Sequence, residues 1–172
     1  MKKIVTLFAF IGLLAVASCT TTEEYYGEDN DTIPEAFEIK VNLSRVADNE
    51  YDYYSTFKSK IGGDLYDDET VLMYRLSDIV NSNTPVWQLI PRTIYFTNGD
   101  ELDYDYDFSK VDFIITARGT YNLLNTPEYI NNQTFRIVII PSALANTMDT
   151  SNYNEVISTL KITETQVKKV KL

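Results

Sequence analysis

Two runs of the chain are apolar almost without a break, Val71-Leu72-Met73-Tyr74-Arg75-Leu76 and Thr134-Phe135-Arg136-Ile137-Val138-Ile139-Ile140. Both are short and end in turn residues or proline, the pattern of strands covered on both faces. Around them the apolar period is two. Phe37, Ile39, Val41 and Leu43 alternate with Glu38, Lys40, Asn42 and Ser44, and Leu102-Asp103-Tyr104-Asp105-Tyr106-Asp107-Phe108 alternates strictly. Further strands are expected over Tyr53–Ile61, from Val86 through Phe96, and over Val111–Ala117. Polar turns at 48–52, Gly62-Gly63-Asp64, 77–85 and Asn98-Gly99 separate them, with a long loop over 119–132. Connections this short and polar leave no room for crossover helices. The expected fold is mainly all-β, an antiparallel β-sandwich of about seven strands. A short helical segment follows at the C-terminal end, packed on one end or edge. Ser142 opens one short helix, and Asn152 with Glu155 forms a capping-box signature for a second. Tyr153, Val156, Ile157 and Leu160 share one face of that second helix.

The first residues carry a different instruction. Lys2 and Lys3 precede an uncharged run from Ile4 to Val16, and small residues lead to Cys19, the only cysteine. This is the layout of a secretory signal. The run is shorter than the ~20 apolar residues of a spanning helix. Val16-Ala17-Ser18-Cys19 resembles the bacterial lipobox, which implies cleavage between Ser18 and Cys19 and acylation of Cys19 by fatty acids. The chain therefore divides into a signal peptide over 1–18, a lipidated cysteine with an acidic tether over 19–35, and a single domain over 36–172. With Cys19 acylated, the domain has no thiol, so its stability comes from its core.

Composition removes several function classes. The net charge is −10, and the signal carries two lysines and no acid, so the exported part is more acidic still. A basic footprint for nucleic acid is missing. Histidine is absent, which removes the commonest general base and zinc ligand. A partner is expected to be the membrane, reached through the lipid, together with an envelope protein or a glycan, and no cofactor is called for.

Three groups of residues are candidate sites. Asp103, Asp105 and Asp107 line one strand face about 7 Å apart, an oxygen-rich row that suits calcium or simply keeps an exposed face soluble. The EF-hand spacing does not fit them, because Phe108 and Ile114 stand at the glycine and acid positions. Trp87 and the tyrosines beside turns, Tyr51, Tyr53, Tyr54 and Tyr121, are candidates for a sugar-stacking platform, although a core this size needs most aromatics inside. Arg75 and Arg136 interrupt the two most apolar runs. They are expected either to point to solvent or to form an internal ion pair that fixes strand register. The lysines at 168, 169 and 171 read as a solvated tail. Paired carboxylates for glycoside hydrolysis are not marked out by any motif, so catalysis is not expected.

The strand segments 71–76, 86–91, 104–108 and 132–141 resemble those of short Bacteroidota lipoproteins of uncharacterised function. Some members carry a collagen-like spacer after the cysteine, where this chain has an acidic tether. Glu23-Glu24 resembles the acidic signal that sends such lipoproteins to the outer face of the outer membrane. The label dihydrolipoamide dehydrogenase, sometimes given to this group, does not suit the chain, which has neither a dinucleotide-binding glycine fingerprint nor a cysteine pair. The resemblance implies an anchored β domain without an assigned activity. The expected role is that of a non-catalytic binding or interaction module of the cell envelope. The alternatives are a structural or assembly subunit of an envelope complex and a carboxylate-based glycoside hydrolase.

Overall fold

The computed structural model describes residues 34–170. The signal peptide, Ser18, Cys19 and the tether up to residue 33 lie outside the described residues, as does Lys171. Ten strands form two five-stranded sheets. In chain order they are β1 (Glu35–Val41), β2 (Ser44–Ala47), β3 (Glu50–Thr56), β4 (Glu69–Val80), β5 (Thr84–Leu89), β6 (Arg92–Tyr95), β7 (Glu101–Phe108), β8 (Asp112–Gly119), β9 (Gln133–Pro141) and β10 (Lys168–Val170). Sheet A has the order β10-β1-β9-β4-β5 and sheet B the order β2-β3-β8-β7-β6. The architecture is the expected all-β sandwich, with more strands than expected. Its pairs are antiparallel except β1 with β10, which run parallel.

The two apolar runs became the centre of sheet A, and β9 pairs with both β1 and β4. Successive side chains of a strand face opposite ways, so β4 and β9 contribute to two cores. Val71, Met73, Phe135, Ile137 and Ile139 face sheet B and pack with Phe37, Leu102, Tyr104, Phe113 and Ile115. Leu72, Tyr74, Val138 and Ile140 face the other way and pack beneath Tyr153, Val156 and Val167. Sheet A is thus covered on both faces, by sheet B and by the C-terminal segment. That segment lies on a sheet face rather than at an end or edge, because the outward residues of β4 and β9 need a cover.

Among the described residues, three short α-helices and two 3-10 turns (Leu123–Asn125 and Pro127–Tyr129) accompany the strands: α1 (Phe57–Ile61), α2 (Ser142–Ala145) and α3 (Tyr153–Thr159). The expected strand over Tyr53–Ile61 stops at Thr56. The Thr56 hydroxyl accepts from Ser59 N and caps α1, whose Phe57 is fully buried. Gly62 ends α1 at φ 98°, a conformation costly for any residue with a Cβ. In α3 the Asn152 side chain accepts from Glu155 N as expected. The return arm of the box differs, since Glu155 accepts from Asp149 N instead.

Other boundaries shift for local reasons. The expected loop over 77–85 is mostly strand. A bulge between Leu76 and Asp78 breaks the alternation, and β4 runs on to Val80 before a turn with positive φ at Asn81 and Ser82. The single strand expected from Val86 to Phe96 is two strands in different sheets, divided at the cis Ile90-Pro91 bond. Residues 48–49 turn the chain, and β3 begins at Glu50, where a turn through residue 52 was expected. Lys168 and Lys169 are solvent-exposed as expected but do not lie in a free tail. They form β10 on the free edge of β1, and Lys168 Nζ donates to the Lys60 carbonyl at 2.6 Å.

Candidate functional site

On the outer face of sheet A, a cleft of about 570 Å³ opens between β5, the β4–β5 turn and the C-terminal segment. Its floor is built around Arg136. This residue is 2% exposed, and its register on β9 places it directly opposite Glu38 of β1 and Tyr74 of β4. Arg136 donates to Glu38 at 2.6 Å and makes two bonds to Glu164, at 2.6 and 3.0 Å. It also bonds the Tyr153 hydroxyl, and its guanidinium lies 4.3 Å from the centre of the Trp87 ring. Burial alone would make Arg136 easier to deprotonate. The hydrogen bonds it donates to Glu164, Glu38 and Tyr153 outweigh burial, so it stays charged. Tyr153 in turn stands 5.6 Å from Trp87 and edge-on to Tyr74 at 5.1 Å.

The hub uses every guanidinium donor but Nε, which is buried without an acceptor among the described residues, as is Trp87 Nε1. The cleft is close to electrically balanced, with Arg136 and Lys169 set against Glu38 and Glu164. Its exposed lining holds the uncharged polar residues Ser82, Asn83, Thr84 and Asn154 beside Ile79, Glu164 and Lys169. An aromatic wall, balanced charge and hydroxyl and amide groups at the mouth suit a neutral, hydroxyl-rich ligand. Acid–base chemistry fits poorly. Hydrogen bonding to Arg136 holds the Glu164 carboxyl below its ordinary range, the opposite of what a proton-donating acid needs.

The other candidates are dispersed. The four tyrosines do not form a platform. Tyr51 and Tyr53 point inward from β3, Tyr51 into the core and Tyr53 against Phe113, whereas Tyr54 lies on the opposite face, 60% exposed and bonded to Asp112. Tyr121 packs edge-on against Phe96, with its hydroxyl shared with Thr126.

Asp103, Asp105 and Asp107 lie on the outer face of sheet B as the alternation requires. Asp103 accepts from Thr93 at 2.5 Å, and Asp105 accepts from the Tyr106 amide. A row along a strand does not converge, and no group of three such ligands that could hold a metal ion occurs among the described residues. Tyr104 and Tyr106 do reach inward, but Phe108 is 41% exposed, at a stretch of β7 beyond the Glu101–Tyr104 segment that β6 pairs with.

The solvent-facing alternative for the two arginines is corrected. Arg136 forms the internal ion pair, and with two carboxylates rather than one. Arg75 is 8% exposed, donates to Gln133 at 2.9 Å and lies 4.4 Å from the Tyr104 ring centre. Glu38, Glu164 and Tyr153 were not identifiable as partners from sequence, since they lie 98, 28 and 17 residues from Arg136.

Neither a family model, nor a curated protein, nor a solved structure matches this chain. No helix among the described residues is long and apolar enough to cross a membrane.

Proposed function

We propose that the chain is a non-catalytic lipoprotein of the cell envelope that displays a binding domain at the outer membrane, with an uncharged glycan as its ligand. The observation that carries the binding half is the Trp87 cleft, where an aromatic wall meets a balanced charge cluster and the exposed polar side chains of Ser82, Asn83, Thr84 and Asn154. Sugar rings pack their C–H faces on aromatic rings and hydrogen-bond through their edges, which matches this division of the walls. The anchoring half rests on Lys2-Lys3, the apolar run and Val16-Ala17-Ser18-Cys19.

Trp87 is the only tryptophan, so fluorescence excited selectively in tryptophan, beyond the tyrosine absorption band, reports on the cleft alone. Titration with neutral oligosaccharides of hexoses and pentoses should change its emission saturably, and Asn154→Ala at the rim should weaken the response several-fold. A flat titration across that panel would sink the glycan reading. Anchoring has its own test. Protein expressed in a lipoprotein-processing bacterium should enter the detergent phase, and Cys19→Ala should leave it in the aqueous phase. A second acyl chain turns marginal membrane attachment into lasting attachment, so the difference should be nearly complete. Equal partitioning of the two proteins would remove the lipid anchor.

A further inference from the structure

The chain has five arginines, and all are described. Arg45, Arg118 and Arg136 each hold a carboxylate. Arg75 and Arg92 have none within 4.0 Å among the described residues, and these two line the same cavity. The cavity measures about 370 Å³ and lies at the open seam of the sandwich, where edge strand β5 of sheet A meets edge strand β6 of sheet B.

Arg75 follows Val71 and Met73 on the inward face of β4, so its charge is inserted between the sheets. A guanidinium taken out of water is costly unless its charge and its donors are matched. Only part of that cost is met within the chain. Nε donates to Gln133, and the ring faces of Tyr104 and Tyr129 lie 4.4 and 5.7 Å away. The two Nη nitrogens have no carboxylate acceptor among the described residues, and only the neutral Tyr104 hydroxyl engages the guanidinium there. They are not among the sealed, unpartnered atoms either, so they meet the open space of the seam. Arg92 of β6 lines the same cavity, together with Gln88, Tyr95 and Tyr129, whose side chains all carry hydrogen-bond donors. No carboxylate lines the cavity, although the chain as a whole carries ten excess negative charges. Arg92 also borders the outer depression with Asp103 and Asp105, yet neither reaches its guanidinium.

We propose that this seam binds the carboxylate of an acidic ligand, held by the Nη edge of Arg75 and by Arg92. A planar fork of two N–H groups matches a carboxylate in a way that a point charge does not. The site faces the interior of the sandwich, whereas the Trp87 cleft lies on the opposite face of sheet A, so the two readings stand or fall separately.

The test is the thermal unfolding midpoint of the purified protein in sodium acetate, sodium glucuronate, acetamide and sodium chloride, with ionic strength matched. A ligand bound to the folded state alone raises the midpoint. Acetate and glucuronate should both raise it above chloride, and acetamide, the uncharged isostere of acetate, should not. A stronger response to glucuronate would assign the carboxylate to a sugar acid, and equal responses to a free small acid. Arg92→Gln, at an exposed position, should fold normally and weaken binding about tenfold or more, as expected for losing charge-assisted hydrogen bonds. Arg75→Lys keeps the charge, loses the fork and should weaken binding comparably. The proposal is overturned if neither anion shifts the midpoint, if acetamide shifts it as acetate does, or if both variants respond as the parent does.

Discussion

Phe113→Ala should be the most damaging single truncation in the core, lowering stability by about 4 kcal/mol. Phe113 is 1% exposed on β8, and its ring lies 5.2 Å from Phe57, 6.2 Å from Phe37 and 6.3 Å from Tyr53. Those three belong to α1, to sheet A and to sheet B, so one ring joins three elements. Its removal forfeits the transfer energy of a phenyl group and leaves a cavity that two sheets held by their own ladders cannot close. Tilted aromatic contacts add roughly 0.5–1.5 kcal/mol each beyond burial, which places this site toward the top of the Phe→Ala range. Against a typical stability of about 5–15 kcal/mol the loss is large, and the midpoint should fall by roughly 10–15 °C. Denaturant unfolding, with the slope unchanged, is the check. Phe113→Leu should keep most of the stability, because the volume is largely retained. A loss below about 1 kcal/mol in the alanine variant would mean that α1 and the two sheets are not joined at this ring.

How much of this was legible beforehand follows from where each segment's partners lie. β4 and β9 could be read because burial on both faces leaves a mark in the segment itself, a run with scarcely a polar residue. The inward and outward sides of β7 could be read from strict alternation, apart from Phe108, which lies beyond the stretch that β6 covers. β2 and β10 could not be read. Ser44–Ala47 and Lys168–Val170 have no strand-like composition, and they pair because β3 and β1 offer free edges. α1 was missed because Thr56 caps a helix inside a sequence whose aromatic content reads as strand. Of the site, Trp87 and Arg136 stood out as residue types in odd places. Their convergence did not, because it depends on the register of β9 against β1 and on a C-terminal segment folding back over sheet A. The four tyrosines beside turns misled for the converse reason: proximity in sequence says little when alternate residues of one strand face opposite ways.

Arg136→Met should cost about 3 kcal/mol, less than the upper end for a broken buried ion pair, because the damage falls unevenly on its partners. Glu38 is 19% exposed and Glu164 62% exposed, so Glu164 regains water when the arginine goes while Glu38 is left half-buried and unpaired. The order of cost should therefore be Arg136→Met, then Glu38→Gln, then Glu164→Gln, the last within the ~1 kcal/mol of a surface pair. The pH dependence adds a second signature. Glu164 has its folded-state pKa lowered by Arg136, so it binds its proton more readily in the unfolded chain. Its share of stability is fully present above the ordinary glutamate value of 4.5 and is lost as pH falls from there through the lowered value. In Arg136→Met that share is gone at every pH, so the variant's stability should decline less steeply with acid below pH 4.5 while lying lower at neutrality. Parallel curves for parent and variant would show that Arg136 packs the cleft without setting its charge. Trp87 loses the cation over its ring in the same variant, so its emission should also change, and neutral oligosaccharide should bind more weakly if the ion cluster shapes the cleft floor. Weakened stability with oligosaccharide binding intact would separate the two roles, leaving Arg136 as the clasp that holds the C-terminal cover on sheet A and the rim residues as the contacts that select the ligand.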